Sequence, residues 1–153
     1  MIIEGNQRGN AKQLANHLLN DRDNDHVTVH EITGFSSETV HSAFQEIQAT
    51  SRATRCTQFL FSVSLNPPQN EIVTNETFEK ALSDIEQKMG LEGQPRVVVF
   101  HEKEGRRHAH CVWSRIDAQS MTAINLPFYK KKLNEISKDI YLEQGWNMPK
   151  GFI

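Results

Sequence analysis

The stretch RVVVF-HEKEGRRHAH-CVWSRI, Arg96 to Ile116, decides the fold. Two apolar runs flank a charged segment, which reads as two strands meeting at a turn. One strand is expected over Arg96–His101 and the next over Arg107–Ile116, with a hairpin around Glu102–Arg107. His108 and His110 stand two positions apart, so on a strand they point to the same face. His101 ends the preceding strand and lies beside them if the two strands pair. A lone strand histidine is ordinarily packed or solvated. Three of a chain's seven histidines gathered at one hairpin neck point instead to a facial metal site with open positions for water and substrate.

Outward from the hairpin, periodicity places the other elements. Asn10–Asn20 has apolar residues at Ala11, Leu14, Ala15, Leu18 and Leu19, which is helical spacing. His26–Ile32 alternates with β-branched residues and reads as a strand. A helix follows over Glu38–Ser51, with Ser36 or Ser37 as its cap. Gln58–Leu65 is a strand with Phe59, Phe61, Val63 and Leu65 on one face, stopped by Asn66, Pro67 and Pro68. Thr74 caps a helix over Asn75–Met89 that Gly90 ends. Beyond the hairpin come a turn at Asp117–Thr122, a short strand at Ala123 and Ile124, and a helix over Pro127–Gln144. The order α-β-α-β-α-β-β-α, with its hairpin-joined central strands, predicts an α+β fold: a central antiparallel sheet with flanking helices.

A chain of 153 residues, 37% hydrophobic and 24% charged, suffices for one domain with a real core. The formal charge of −2 gives no support to nucleic-acid binding by the chain taken whole. Charge is unevenly spread, however. Arg96 to Arg115 carries five bases (Arg96, Lys103, Arg106, Arg107, Arg115) against Glu102 and Glu104. A positive field around a cation suits a phosphate-containing ligand. Cys56 and Cys111 have no metal spacing and read as incidental thiols of a reduced compartment. No long apolar run follows Met1 and no membrane segment is evident, so the expected location is cytoplasmic. The chain stops abruptly after GWNMPKGFI, as the N-terminal domain of a longer protein would.

The stretch HEKEGRRHAHCVWSRID resembles the metal motif of plasmid relaxases (mobilisation nucleases), within the HUH endonucleases. The phrases AKQLANHLL and HVTVHEITGF, then a strand ending in SLNPP, are similar to this group in the same order, so the resemblance runs along most of residues 1–153. It implies a nuclease that nicks single-stranded DNA at a transfer origin, stays attached to the 5′ phosphate and rejoins the ends. It also implies a divalent metal, Mn²⁺ or Mg²⁺, on His101, His108 and His110, and accessory relaxosome proteins as partners.

Most relaxases use an N-terminal tyrosine as nucleophile, and no tyrosine precedes Tyr129 here. One branch of the family is thought to use a histidine on the first helix, a position matched by His17 in LANHLL. The resemblance thus implies His17 as nucleophile and Glu104 as a base or orienting group. Replication-initiator relatives carry a tyrosine on a later helix, which keeps Tyr129, and behind it Tyr141, as alternatives. Arg106, Arg107, Arg52, Arg55 and Lys130 to Lys132 are candidates for DNA phosphate contacts, and Trp113 and Phe61 for base stacking or, by default, core packing. Glu31 and His30 are either partners of a ligand histidine or members of a solvated strand face. Two other functions remain open: a phosphodiesterase that uses water, which needs no His17, and a DNA-binding module without catalysis.

Overall fold

The computed structural model describes residues 1–152. Five antiparallel strands form one sheet: β1 (Ile2–Arg8), β2 (His26–Thr33), β3 (Leu60–Asn66), β4 (Arg96–Lys103) and β5 (Arg106–Ser114), in the order β1-β3-β5-β4-β2. A short ribbon pairs β6 (Ile116–Asp117) with β7 (Thr122–Ala123). The helices are α1 (Ala11–Leu18), α2 (Val40–Ser51), α3 (Asn75–Met89) and α4 (Tyr129–Gln144), with a final 3₁₀ turn at Lys150–Phe152. The α+β architecture with a central antiparallel sheet is as expected.

Strand alternation divides the core in two. On one face α1 and α2 pack Leu14, Leu18, Phe44 and Ile47 onto Leu60, Val97, Val99 and Val112. On the other, α3 and α4 pack Phe78, Leu82, Ile85 and Ile136 onto Phe61, Val63, Phe100 and Trp113. Each such side chain contributes about 1.5–3 kcal/mol by leaving water. Phe61 and Trp113 are fully buried, so packing is their role rather than base stacking.

The edge strand β1 is absent from the sequence expectation. Its run IIEGNQR hides the alternation, because the inward position after Ile3 is Gly5. A Cβ there would stand 2.6 Å from Leu133 Cδ1 and 3.2 Å from Phe61 Cζ, so the glycine lets α4 approach the sheet. The cap of α2 also differs: Thr39 accepts from the Ser42 N–H at 3.2 Å. Ser36 and Ser37 are instead drawn to Glu46, whose carboxylate accepts from the Ser36 N–H at 3.2 Å and the Ser37 hydroxyl at 2.9 Å. The last long helix starts at Tyr129 rather than Pro127, because Phe128 is left-handed at φ 55°.

Arg96, at the start of β4, joins three elements through ion pairs. Its guanidinium reaches Glu31 of β2 by Nε (2.5 Å) and NH2 (2.9 Å), and Glu79 and Glu86 of α3 at 3.2 Å each. Glu86 also accepts from Trp113 Nε1 at 2.9 Å. The guanidinium holds the Glu31 carboxyl below its usual range, against the opposing effect of burial. Glu31 and His30, the latter 3.0 Å from Glu79, are therefore occupied away from the three histidines.

Candidate active site

The hairpin forms and is tighter than expected. Glu102 pairs with Arg107 and Lys103 with Arg106, leaving Glu104 and Gly105 as the two-residue turn. Both have positive φ, 53° and 77°, as a type I′ turn requires. Glutamate is an unusual occupant of the first of these positions. It is held there because its N–H donates to Asp25 Oδ2 at 2.9 Å, while the Asp25 N–H donates to the Glu102 carbonyl at 2.8 Å.

His101 stands opposite His108, and Val99 opposite His110, so the three histidines share the α1/α2 face. The His101 and His110 rings lie 4.3 Å apart between centroids. α1 crosses beside them. Asn10 caps it, accepting from the Gln13 N–H at 2.9 Å, and the stripe Ala11, Leu14, Ala15, Leu18 seats it on the sheet. That rotation leaves His17 exposed at the flank, edge-on to His110 with centroids 6.5 Å apart. The helix also ends on the cluster, where the Leu18 carbonyl meets His101 Nε2 at 2.5 Å. Three histidines of one hairpin and a fourth from a helix far away in sequence are thus brought together.

Burial and the neighbouring His101, His17 and His108 push His110 down to about 3. Burial, Arg106 and His101 also lower His108. Rings held neutral are in the state a cation requires. His108 is further oriented by Asn66, whose Oδ1 lies 2.7 Å from His108 Nδ1. As the side chains stand, no group of three or more His, Cys, Asp or Glu among the described residues is arranged to hold a metal ion. One reason is local: His101 Nε2 points at the Leu18 carbonyl and so is a donor there, not a ligand. The donor chemistry fits a divalent cation, provided His101 turns its ring or offers Nδ1.

The other predicted site residues scatter. Glu104 is exposed at the hairpin tip, and its carboxylate has no hydrogen-bond or ion-pair partner among the described residues. Arg106 alternates with His108 on the histidine face and donates from NH2 to the Pro67 carbonyl at 2.8 Å. Arg107 points the opposite way: its guanidinium covers the Phe100 ring at 4.3 Å and donates to Asn75 Oδ1. Tyr129 packs edge-on against Phe61 at 5.4 Å, and Tyr141 is buried, both on the α3/α4 side of the sheet. Neither tyrosine is on the face that carries the histidines. Lys130 lines an open cavity of about 330 Å³ along β1 with Glu4 and Asn6. Arg52 and Arg55 line a wider groove of about 600 Å³ between the end of α2 and the β6–β7 ribbon, with Met121 and Thr122 opposite.

The sequence matches the family described as "Relaxase: MobA/VirD2-like, nuclease domain" over residues 14–146. The chain belongs to this relaxase family. The match spans His17, the hairpin and α4, so a nicking endonuclease domain is the coarse identity of the chain. No curated protein matches the chain. No helix of the relaxase domain is long and apolar enough to cross a membrane, among the described residues.

Asn66, in contact with the His108 ring, is a neighbour of the histidine cluster that sequence reasoning missed. It reads there only as the stop of a strand before Pro67 and Pro68. Its role depends on the pairing of β3 with β5, which no local pattern announces.

Proposed function

We propose that this chain nicks one DNA strand at the transfer origin of a plasmid or mobile element, with His17 as the attacking group. The observation that carries this reading is the position of His17: exposed, on a helix tied to the cluster, with its ring 6.5 Å from that of His110. His101, His108 and His110 would hold the divalent cation, Mn²⁺ or Mg²⁺. When bound, the cation supplies charge neutralisation at the scissile phosphate.

The residues of the chain do the rest. A lone pair of the His17 ring attacks phosphorus, and an N–P bond forms as the P–O3′ bond breaks. The bonding pair leaves on O3′, which takes a proton from water, and the ring N–H that becomes acidic on phosphorylation gives its proton back to water. The 5′ phosphate stays on His17 as a phosphoramidate, so the bond energy is kept and O3′ can displace the imidazole to rejoin the strand. Arg106, beside His108, offers a guanidinium to the DNA backbone, and the groove of Arg52 and Arg55 offers two more, with no acidic lining residue to oppose them. Glu104 has no step here, since its carboxylate stands exposed at the hairpin tip.

The test is covalent attachment. Wild type and His17→Ala are each mixed with Mn²⁺ and a labelled single-stranded oligonucleotide spanning the origin, then denatured and run on a gel. The expected result is a wild-type adduct that acid destroys, since a protonated imidazole leaves readily from phosphorus, and no adduct for the variant. An acid-stable adduct that survives in His17→Ala transfers the role to a tyrosine. Cleavage without any adduct identifies water as the nucleophile and an ordinary phosphodiesterase.

A further inference from the structure

We infer that Asn66 is a positioning residue that fixes the tautomer of His108, keeping Nε2 of that ring free to bind a cation. This rests on the reading of His108 as a metal ligand. The orientation of the amide is decided by its surroundings. One end of the Asn66 side chain lies 3.3 Å from the Ile2 carbonyl and 3.1 Å from Ser64 Oγ. The Ile2 carbonyl can only accept, so this end is the NH₂ group. The other end is therefore Oδ1, and it faces His108 Nδ1 at 2.7 Å. An amide oxygen also only accepts, so Nδ1 carries the proton. An uncharged imidazole has a single N–H, and the lone pair is left on Nε2.

The sheet builds this relay. Ile2 is the register partner of Asn66 between β1 and β3, and Leu65 is the partner of Ala109 between β3 and β5. One rung further on, the Asn66 side chain therefore reaches His108 across the ladder. The next residue, Pro67, uses its carbonyl to hold Arg106, two positions before His108 on the same face. The end of β3 thus sets both the ligand ring and the guanidinium beside it. The edge strand β1, through the Ile2 carbonyl, prevents the Asn66 amide from turning over.

The test is the proton's position, read from long-range ¹H–¹⁵N ring spectra of the metal-free protein, together with Mn²⁺ affinity by calorimetry. In wild type, His108 should show a protonated Nδ1 and an unprotonated Nε2. Asn66→Ala should mix in the opposite tautomer and weaken Mn²⁺ binding by about 10–100-fold. Asn66→Asp keeps an acceptor and should restore both the tautomer and most of the affinity, which a merely structural role would not do. A wild-type His108 protonated on Nε2 overturns the inference, and so does an Asn66→Ala protein with unchanged tautomer and affinity. The wild-type spectrum needs no variant, so the test survives a substitution that fails to fold. A wild type with the expected tautomer that takes up no Mn²⁺ refutes the metal reading instead and leaves the hold of Asn66 on the ring in place.

Discussion

Replacing Arg96 with methionine removes one cation and leaves three carboxylates behind. Arg96 is 15% exposed, Glu31 22% and Glu86 18%, whereas Glu79 is 40% exposed and is relieved by water. The cost is carried by the two shielded partners. Breaking a buried pair from one side costs about 3–5 kcal/mol, and partial access of water places Arg96→Met near the lower end, about 3 kcal/mol. For a domain of this size that lowers the Tm by about 6–12 °C. The pH dependence has a definite sign. Arg96 depresses Glu31 below the usual 4.5, so in wild type this pair's stabilisation is present above pH 4.5 and lost as pH falls through the lower, folded-state value. In Arg96→Met, the burial that opposes ionisation of Glu31 is met only by the smaller effects of the Thr33 hydrogen bond and His30, so the penalty is absent in acid and grows as pH rises. The gap between the two proteins is therefore widest near neutrality and closes below pH 4.5. Urea unfolding from pH 3 to 8, followed by the fluorescence of Trp113 and Trp146, measures it. A loss under about 1 kcal/mol at pH 7, or a gap that does not change with pH, would refute the reasoning.

Three further outcomes test the division between site and scaffold. Glu104→Asn places a residue suited to positive φ in the type I′ turn and should stabilise the domain by about 1 kcal/mol in thermal unfolding, with nicking unchanged; a tenfold fall in nicking at equal stability would restore a catalytic carboxylate. Arg52→Ala with Arg55→Ala should weaken binding of a single-stranded oligonucleotide and flatten its log–log salt dependence by about 1.4, at about 0.7 per phosphate contact. Arg107→Ala, which uncovers Phe100, should instead lower stability by about 1–2 kcal/mol and leave that slope alone.

The hairpin, the amphipathic helices and the shared face of the three histidines were legible in the sequence because each depends on local period. Ala11, Leu14, Ala15 and Leu18 set the rotation of α1, and that rotation alone leaves His17 on the flank. The separation of Arg106 from Arg107 was within reach by the same parity that unites His108 and His110, since neighbours on a strand face opposite ways. What was not legible depends on packing between distant segments. β1 was hidden by Gly5, a residue chosen for the approach of Leu133 rather than for strand propensity. The partnership of Asn66 with His108 follows from strand order, and the seat of Tyr129 on the far face follows from the path of α4.

The strand order has a consequence for hydrogen exchange. β5 lies between β3 and β4 and is covered on both faces, so its amides are released only when the whole domain opens. His110 lies on the part of β5 paired on both sides, whereas His108 sits one residue beyond the β3 ladder. His17 rides on an eight-residue helix, too short to persist without its apolar stripe, and local fraying of that helix exposes its amides at far lower cost. The four histidines thus stand on two kinds of backbone: three on a sheet hairpin, and one on a short helix held to that sheet by its apolar stripe.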